Sequence, residues 1–193
     1  MADLIDGYLT FASIADWDTW LEANHRHATE AWVAFPKQGN TTPSPTRAQA
    51  VVSALKFGWI DGQALSRDLP DGWWAQRFTP RRPTSRWSLL NRQAAEKLIA
   101  RGQMRPAGLE QVHRAQQDGR WDAAYPPPSV ATIPPDLNQA LDARPGRRQL
   151  FEALPARERY RIINHLHTAR RPDIRARRLH QHLQALDNAS TQP

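Results

Sequence analysis

Two stretches of the chain concentrate residue types that can bind or do chemistry. The first is FGWIDGQ at 57–63, where two glycines flank a Trp-Ile-Asp core. On a strand of period two, Trp59, Asp61 and Gln63 share one face, which sets a carboxylate beside an indole. Such a carboxylate can orient a cation, serve as a general base, or form a buried structural pair. Glycine within a strand marks a bulge or a close backbone approach. The second stretch is QRFTPRRPTSRWSLLN at 76–91, which holds Arg77, Arg81, Arg82 and Arg86, interleaves Phe78 and Trp87, and contains no acid. It runs into a helix start at Ser88. Guanidinium groups beside the free N–H groups of a helix start suit an anion. Arginine mixed with aromatic rings is also the makeup of single-stranded nucleic-acid platforms. The competing account is a rigid, Pro-spaced, solvated loop with Trp87 turned inward.

A third stretch, ARRPDIRARRLHQHL at 169–183, sets Arg170, Arg171, Arg175, Arg177 and Arg178 on predicted helices. These side chains suit phosphates, an acidic partner surface, or plain solvation. His25/His27, His165/His167 and His180/His182 form three H-x-H pairs. On a helix, positions i and i+2 point about 200° apart, so the last two pairs cannot share a metal. There is no Gly-rich phosphate loop, no zincin motif and no nucleophile elbow. With no Cys there is no disulfide, thiolate zinc site or cysteine nucleophile. No metal and no cofactor is expected, and no catalytic residue is assigned.

The elements that must position these residues follow from local signals. A short strand is expected at 8–12. Ser13, three residues before Asp16, starts a helix to about His25. AWVAFP at 31–36 reads as a strand, and KQGNTTPSPT at 37–46 as a loop. Thr46 or Ser44 caps the next helix. Strands at 59–66 and 73–79 flank a turn-rich connector. If that hairpin turns about Leu69, Asp61 faces Arg77 and Trp59 faces Thr79. An exposed ion pair of that kind contributes about 0.2–1 kcal/mol. PRRP at 80–83 reads as an extended, exposed link. Ser88 opens a helix that Gly102 stops, and Pro106 opens another ending near Gly119. WDAAYPPPSVATIPP at 121–135 reads as a Pro-rich linker. Beyond it come helices at 136–143 and 146–154, one starting at Pro155, and one starting at Pro172. The last two are expected to form an antiparallel hairpin hinged at Arg171-Pro172.

The fold class expected is α+β: a small antiparallel sheet with packed helices, plus a C-terminal helical unit. The organisation reads as a unit at 1–120, a linker at 121–135, a helical unit at 136–187 and a disordered tail at 188–193. The chain has 193 residues, 40% hydrophobic, with eight Trp, enough for a buried core and inconsistent with full disorder. No run approaches the roughly 18 apolar residues of a spanning helix, so no membrane insertion is expected. The first residues carry no secretory pattern, so a cytoplasmic location is expected over a periplasmic one. Net charge is +7, and all of the excess falls after residue 143. The cations are 23 Arg and 3 Lys. Arg suits phosphate and carboxylate, although GC-rich coding also raises Arg content.

Seven segments in order carry a resemblance: WLEANH (20–25), AWVAF (31–35), FGWIDGQ (57–63), QRFTPRRPTSRWSLLN (76–91), GQMRPAGLEQV (102–112), DGRWDAAY (118–125) and TARRPDIRARRL (168–179). Together they resemble the YdeI/OmpD-associated family, also called bacteriocin-protection proteins, over about residues 10–187. Lys56 departs from the pattern, where a small or sulfur-containing residue is expected. The stretch from about 130 to 187 resembles the part that gives the family its domain name. The resemblance implies a small bacterial α+β protein linked to resistance to bacteriocins and cationic antimicrobial peptides, and a porin as protein partner. It implies no known reaction. A +7 chain repels cationic peptides, so any protection acts indirectly.

Three functions compete. The leading one is a non-enzymatic stress-protection protein that recognises an anionic small molecule or phosphate group. Arg77, Arg81, Arg82 and Arg86 hold the anion, Trp59 and Trp87 wall the site, and Asp61 orients an Arg. The second is an enzyme with Asp61 as general base, for which no second acid or nucleophile stands nearby. The third is a weak, non-specific nucleic-acid binder acting through the basic tail.

Overall fold

The computed structural model describes residues 2–66, 69–169 and 171–189. The fold is α+β, and the chain divides into two compact units between Asp122 and Ala123.

In the first unit, β1 (Ala2–Ile5) and β2 (Tyr8–Phe11) form a hairpin closed by Asp6 and Gly7, both at positive φ. Two such residues in a row suit the twist of a two-residue hairpin turn. The strand β1 was not among the sequence expectations, although Asp6-Gly7 is its signal. Next come α1 (Ile14–Asn24), β3 (Ala31–Pro36), α2 (Arg47–Lys56), β4 (Trp59–Leu65), β5 (Trp73–Pro80), α3 (Leu89–Ala100) and α4 (Pro106–Gln117). The sheet order is β1-β2-β3-β5-β4, antiparallel except for the single bridge from Leu9 to Val33 between β2 and β3.

Helix starts follow local chemistry. The Asp16 N–H donates to Ser13 Oγ at 3.2 Å, and Thr46 forms a full capping box with Gln49. One core runs under the sheet, with Phe11, Trp17, Phe57, Trp59 and Phe78 all 3% exposed or less. Trp17 and Trp59 satisfy their indole N–H groups on the carbonyls of Ala50 (3.1 Å) and His25 (3.2 Å).

FGWIDGQ is a bulged strand whose first glycine is forced. Gly58 has φ +75°, and a Cβ there would lie 2.8 Å from the Ala107 carbonyl oxygen. The ladder pairs Trp59 with Pro80 and Asp61 with Phe78, then shifts before Ala64 meets Gln76. One extra residue of β4 is accommodated at the shift. Gln76, 2% exposed, fills it by donating to the carbonyls of Gly62 (2.8 Å) and Gln63 (3.1 Å).

The second unit holds a 3₁₀ turn at Pro128–Val130, then α5 (Pro135–Asp142), α6 (Arg147–Ala153), α7 (Ala156–His167) and α8 (Pro172–Ala189). Its core gathers Leu137, Leu141, Phe151, Ile163, Leu166 and Leu186. α7 and α8 are separate helices, as Pro172 requires. Asn188 and Ala189, read as tail, continue α8, and 190–193 lie outside the described residues.

Two bidentate pairs tie the helices of this unit. Arg175 grips Asp136 at 2.7 and 2.8 Å, and Arg147 grips Asp187 at 3.0 and 2.8 Å. Each guanidinium holds its carboxyl below the usual aspartate range, chiefly through the hydrogen bonds.

Candidate anion-binding site

The sheet separates residues that the sequence suggested would meet. Asp61 does not face Arg77. The ladder is one residue away from the expected register, so the two side chains point to opposite faces. Asp61 lies on the helix-covered face and accepts from Arg47 at the start of α2, while Arg47 Nε donates to Gln76 Oε1 at 3.1 Å. Arg77, on the other face, pairs with Glu30 at 2.6 Å. Trp59 is 1% exposed and belongs to the core.

What the structure does bring together is Arg81, Arg82, Arg86 and Trp87, in the loop between β5 and α3. PRRP is not uniformly exposed, because Arg81 is only 5% exposed. The Arg81 N–H donates to Gly58 O at 2.9 Å, which turns the side chain inward. Its guanidinium stacks 3.7 Å from the centroid of Trp87 and donates to the Arg86 carbonyl at 3.2 Å. The planar, weakly hydrated guanidinium tolerates this position, where an ammonium would not.

A second buried arginine completes the brace. Arg120 donates to the Ser85 carbonyl at 2.8 Å and is neutralised by Asp118 at 2.7 Å. Trp121, read from the sequence as linker, is 5% exposed and meets Trp87 edge to face at 4.8 Å. Arg92 adds a hydrogen bond to the Trp121 carbonyl at 3.2 Å. Arg120 and Trp121 were missed as site residues. Their signal was an Arg-Trp pair directly after the helix stop at Gly119.

Held from inside, residues 82–85 close a tight turn. The Arg82 N–H donates to Ser85 Oγ (3.0 Å), and the Ser85 N–H to the Arg82 carbonyl (2.9 Å). Pro83 fills the second turn position, where its fixed φ is suited. Arg82, Thr84 and Arg86 stand exposed on this turn, and Ser88 caps α3 immediately beyond through the Asn91 N–H at 3.1 Å.

The first unit also contains a polar cleft of about 500 Å³ beside α1. Lys56, the departure from the family pattern, pairs there with Asp18 at 2.8 Å, and Arg105 with Glu22 at 2.8 Å. Both cations are thus already matched by anions.

The basic tail is largely committed to its own unit. Arg175 holds Asp136, Arg178 donates to the His165 carbonyl (2.7 Å) and Thr168 Oγ1 (3.0 Å), and Arg171 pairs with Asp173 at 2.7 Å. Arg177 is exposed, and Arg170 lies outside the described residues.

One histidine pair forms between helices and not within one. His165 Nδ1 lies 2.9 Å from His182 Nε2. Burial depresses the His182 pKa, and the charges of His165, Arg161 and Arg178 lower it further. As pH falls, the unfolded chain takes up this proton first, at the usual imidazole value near 6.5, while the fold resists it. The stabilisation is therefore complete only above about pH 7 and declines as pH falls through about 6.5. Thermal melts followed by far-UV circular dichroism should show the second unit weakening between about pH 7 and 5. His182→Gln should flatten that dependence. An unchanged slope in the variant would place the pH response elsewhere.

Among the described residues, no group of three or more His, Cys, Asp or Glu could hold a metal ion, and no helix is long and apolar enough to cross a membrane. Two family models match the chain. Residues 9–111 match a domain of unknown function, DUF8412, and residues 130–188 match the domain described as bacteriocin-protection, YdeI or OmpD-associated. No curated protein and no solved structure matches.

Proposed function

We propose, for a chain that belongs to the DUF8412 family through residues 9–111 and carries the bacteriocin-protection, YdeI or OmpD-associated domain at 130–188, a non-enzymatic protection role based on recognition of an anionic group. The anion docks on the turn at 82–86, held by Arg82 and Arg86 with the Thr84 hydroxyl between them. The observation that carries this reading is the inner brace. Arg81 and Arg120 fix the carbonyls of Arg86 and Ser85, so the outer arginines project from backbone that is already ordered. Preorganisation lowers the entropy lost on binding. Arg77 and Asp61, paired with Glu30 and Arg47, act as framework in this reading. The Arg47 contact also engages the carboxylate that a general base would need unencumbered.

Calorimetric titration with inorganic phosphate and a sugar phosphate tests the proposal. Saturating ligand, at about 100 times Kd, should raise stability by about 2.7 kcal/mol. The double variant Arg82→Ala/Arg86→Ala should lose that response, while the stability of the ligand-free protein changes by only about 0.5 kcal/mol. No response in the parent, or an equal response in the variant, would refute the reading. Duplex DNA separates the nucleic-acid alternative. Five phosphate contacts from the tail would give a log–log salt slope of about −4 to −5, whereas the internal pairing of Arg171, Arg175 and Arg178 leaves a slope no steeper than about −2.

A further inference from the structure

The second unit contains a groove of about 510 Å³, lined by the 128–133 segment, α6 and α7. Its floor is apolar. Phe151 and Ile163 are 1% and 6% exposed, and Ala131 and Ile133 pack against the same cluster from one wall. That wall is pinned, because the Tyr160 hydroxyl donates to the Pro126 carbonyl at 2.9 Å. The lining carries three charged side chains, the Glu152 carboxylate, which pairs with Arg148 at 3.9 Å, and two arginines. Arg157 and Arg159 enter the groove from the start of α7.

These two arginines differ in their commitments. Arg159 donates to the carbonyls of Glu152 and Leu154, satisfying the end of α6. Arg157 is exposed and has no hydrogen bond or ion pair among the described residues. The groove therefore joins an apolar floor to one uncommitted positive charge in its lining.

We propose that this groove binds a single-chain amphiphile with an anionic head, a medium-chain carboxylate. The alkyl chain lies on Phe151 and Ile163, and the carboxylate meets Arg157. Size, chemistry and charge agree. The volume lies within the roughly 300–1,000 Å³ of small-molecule sites. An α-helix about 10–12 Å across would fit for only about one turn, so an amphipathic helix is a poor occupant. A cationic head would meet two arginines against the single Glu152 carboxylate, itself paired with Arg148, and be disfavoured. A neutral chain would forgo the charge-assisted hydrogen bond that Arg157 offers. This site lies in a different unit from the turn at 82–86 and does not rest on that reading.

The test uses the full chain with dodecanoate and dodecyltrimethylammonium, both below micelle formation, read by calorimetry and amide chemical shifts. Saturable dodecanoate binding is expected, with shifts at Ala131, Ile133, Phe151 and Ile163. The cationic amphiphile should bind at least about tenfold more weakly. Arg157→Glu should weaken dodecanoate about tenfold without moving the melting temperature. Ala156→Trp, an exposed position on the groove wall, should block the chain and abolish binding. The proposal is overturned by any of four outcomes: no saturable dodecanoate binding, equal affinity for the two heads, shifts mapping outside the groove, or Ala156→Trp binding as the parent does.

Discussion

Gly108→Ala is expected to destabilise the first unit by about 2 kcal/mol or more, against the direction that helix propensity dictates. Gly108 sits inside α4, where alanine normally gains about 1 kcal/mol over glycine. Here a Cβ would lie 2.3 Å from the Lys56 carbonyl oxygen, 2.7 Å from Met104 Sδ and 2.8 Å from the Leu55 carbonyl oxygen. Two of these three neighbours are backbone at the end of α2, and the same Lys56 carbonyl accepts from the Arg105 N–H at 3.1 Å. Backbone so held cannot move aside cheaply, so the overpacking cost reaches the upper part of its usual range, about 3 kcal/mol or beyond. That exceeds the propensity gain. Gly62→Ala is the control, since its Cβ would meet nothing closer than the Arg77 carbonyl oxygen at 3.8 Å. It should change stability by no more than about 0.5 kcal/mol. Denaturation followed by Trp fluorescence reports on this unit specifically, because all eight Trp fall between residues 17 and 121. A Gly108→Ala protein as stable as its parent would mean that α4 does not dock on the end of α2 this closely.

Arg81→Ala is expected to cost about 2–4 kcal/mol, the scale of a buried charged hydrogen-bond donor together with the packing it supplies. A surface-loop arginine would cost almost nothing on truncation. Arg81 instead covers Trp87 at 3.7 Å and anchors the Arg86 carbonyl. Its loss would uncover the indole and release one of the two braces on the turn. Arg81→Lys keeps the charge but loses the planar stack and the forked donors, so it should recover less than half of the loss. On the proposed anion-binding role, both variants should also weaken phosphate binding at Arg82 and Arg86 by loosening the turn. Full stability in Arg81→Ala would show that the turn does not depend on this guanidinium. Retained phosphate binding in a destabilised variant would separate the brace from the site.

The arginine-rich loop was legible as a composition and illegible as a geometry. An acid-free run with four arginines and two aromatic rings, ending at a helix cap, does mark the loop that the structure organises. Which of those arginines face inward depends on a contact between Arg81 and Gly58, 23 residues apart in sequence, and on Arg120 arriving from beyond α4. The cross-helix histidine pair was hidden for the same reason. The H-x-H spacing drew attention to neighbours, whereas His165 meets a partner 17 residues on.

What the sequence determined by itself was local. Ser13, Thr46 and Ser88 started helices because a side-chain oxygen three residues upstream satisfies a free N–H wherever the chain later packs. Pro172 separated α7 from α8 because a residue without an N–H cannot continue the preceding ladder. Residues 59–65 and 73–80 became strands because their β-formers are bounded by turn chemistry. Family membership, too, is a property of residue order. Only the tertiary structure decided who meets whom. Pairing one residue away from the expected register, with a bulge at Gly62 and Gln63, sent Asp61 to Arg47 and Arg77 to Glu30. A strand alternates faces at every residue, so a shift of one exchanges all partners while leaving propensity, composition and charge unchanged.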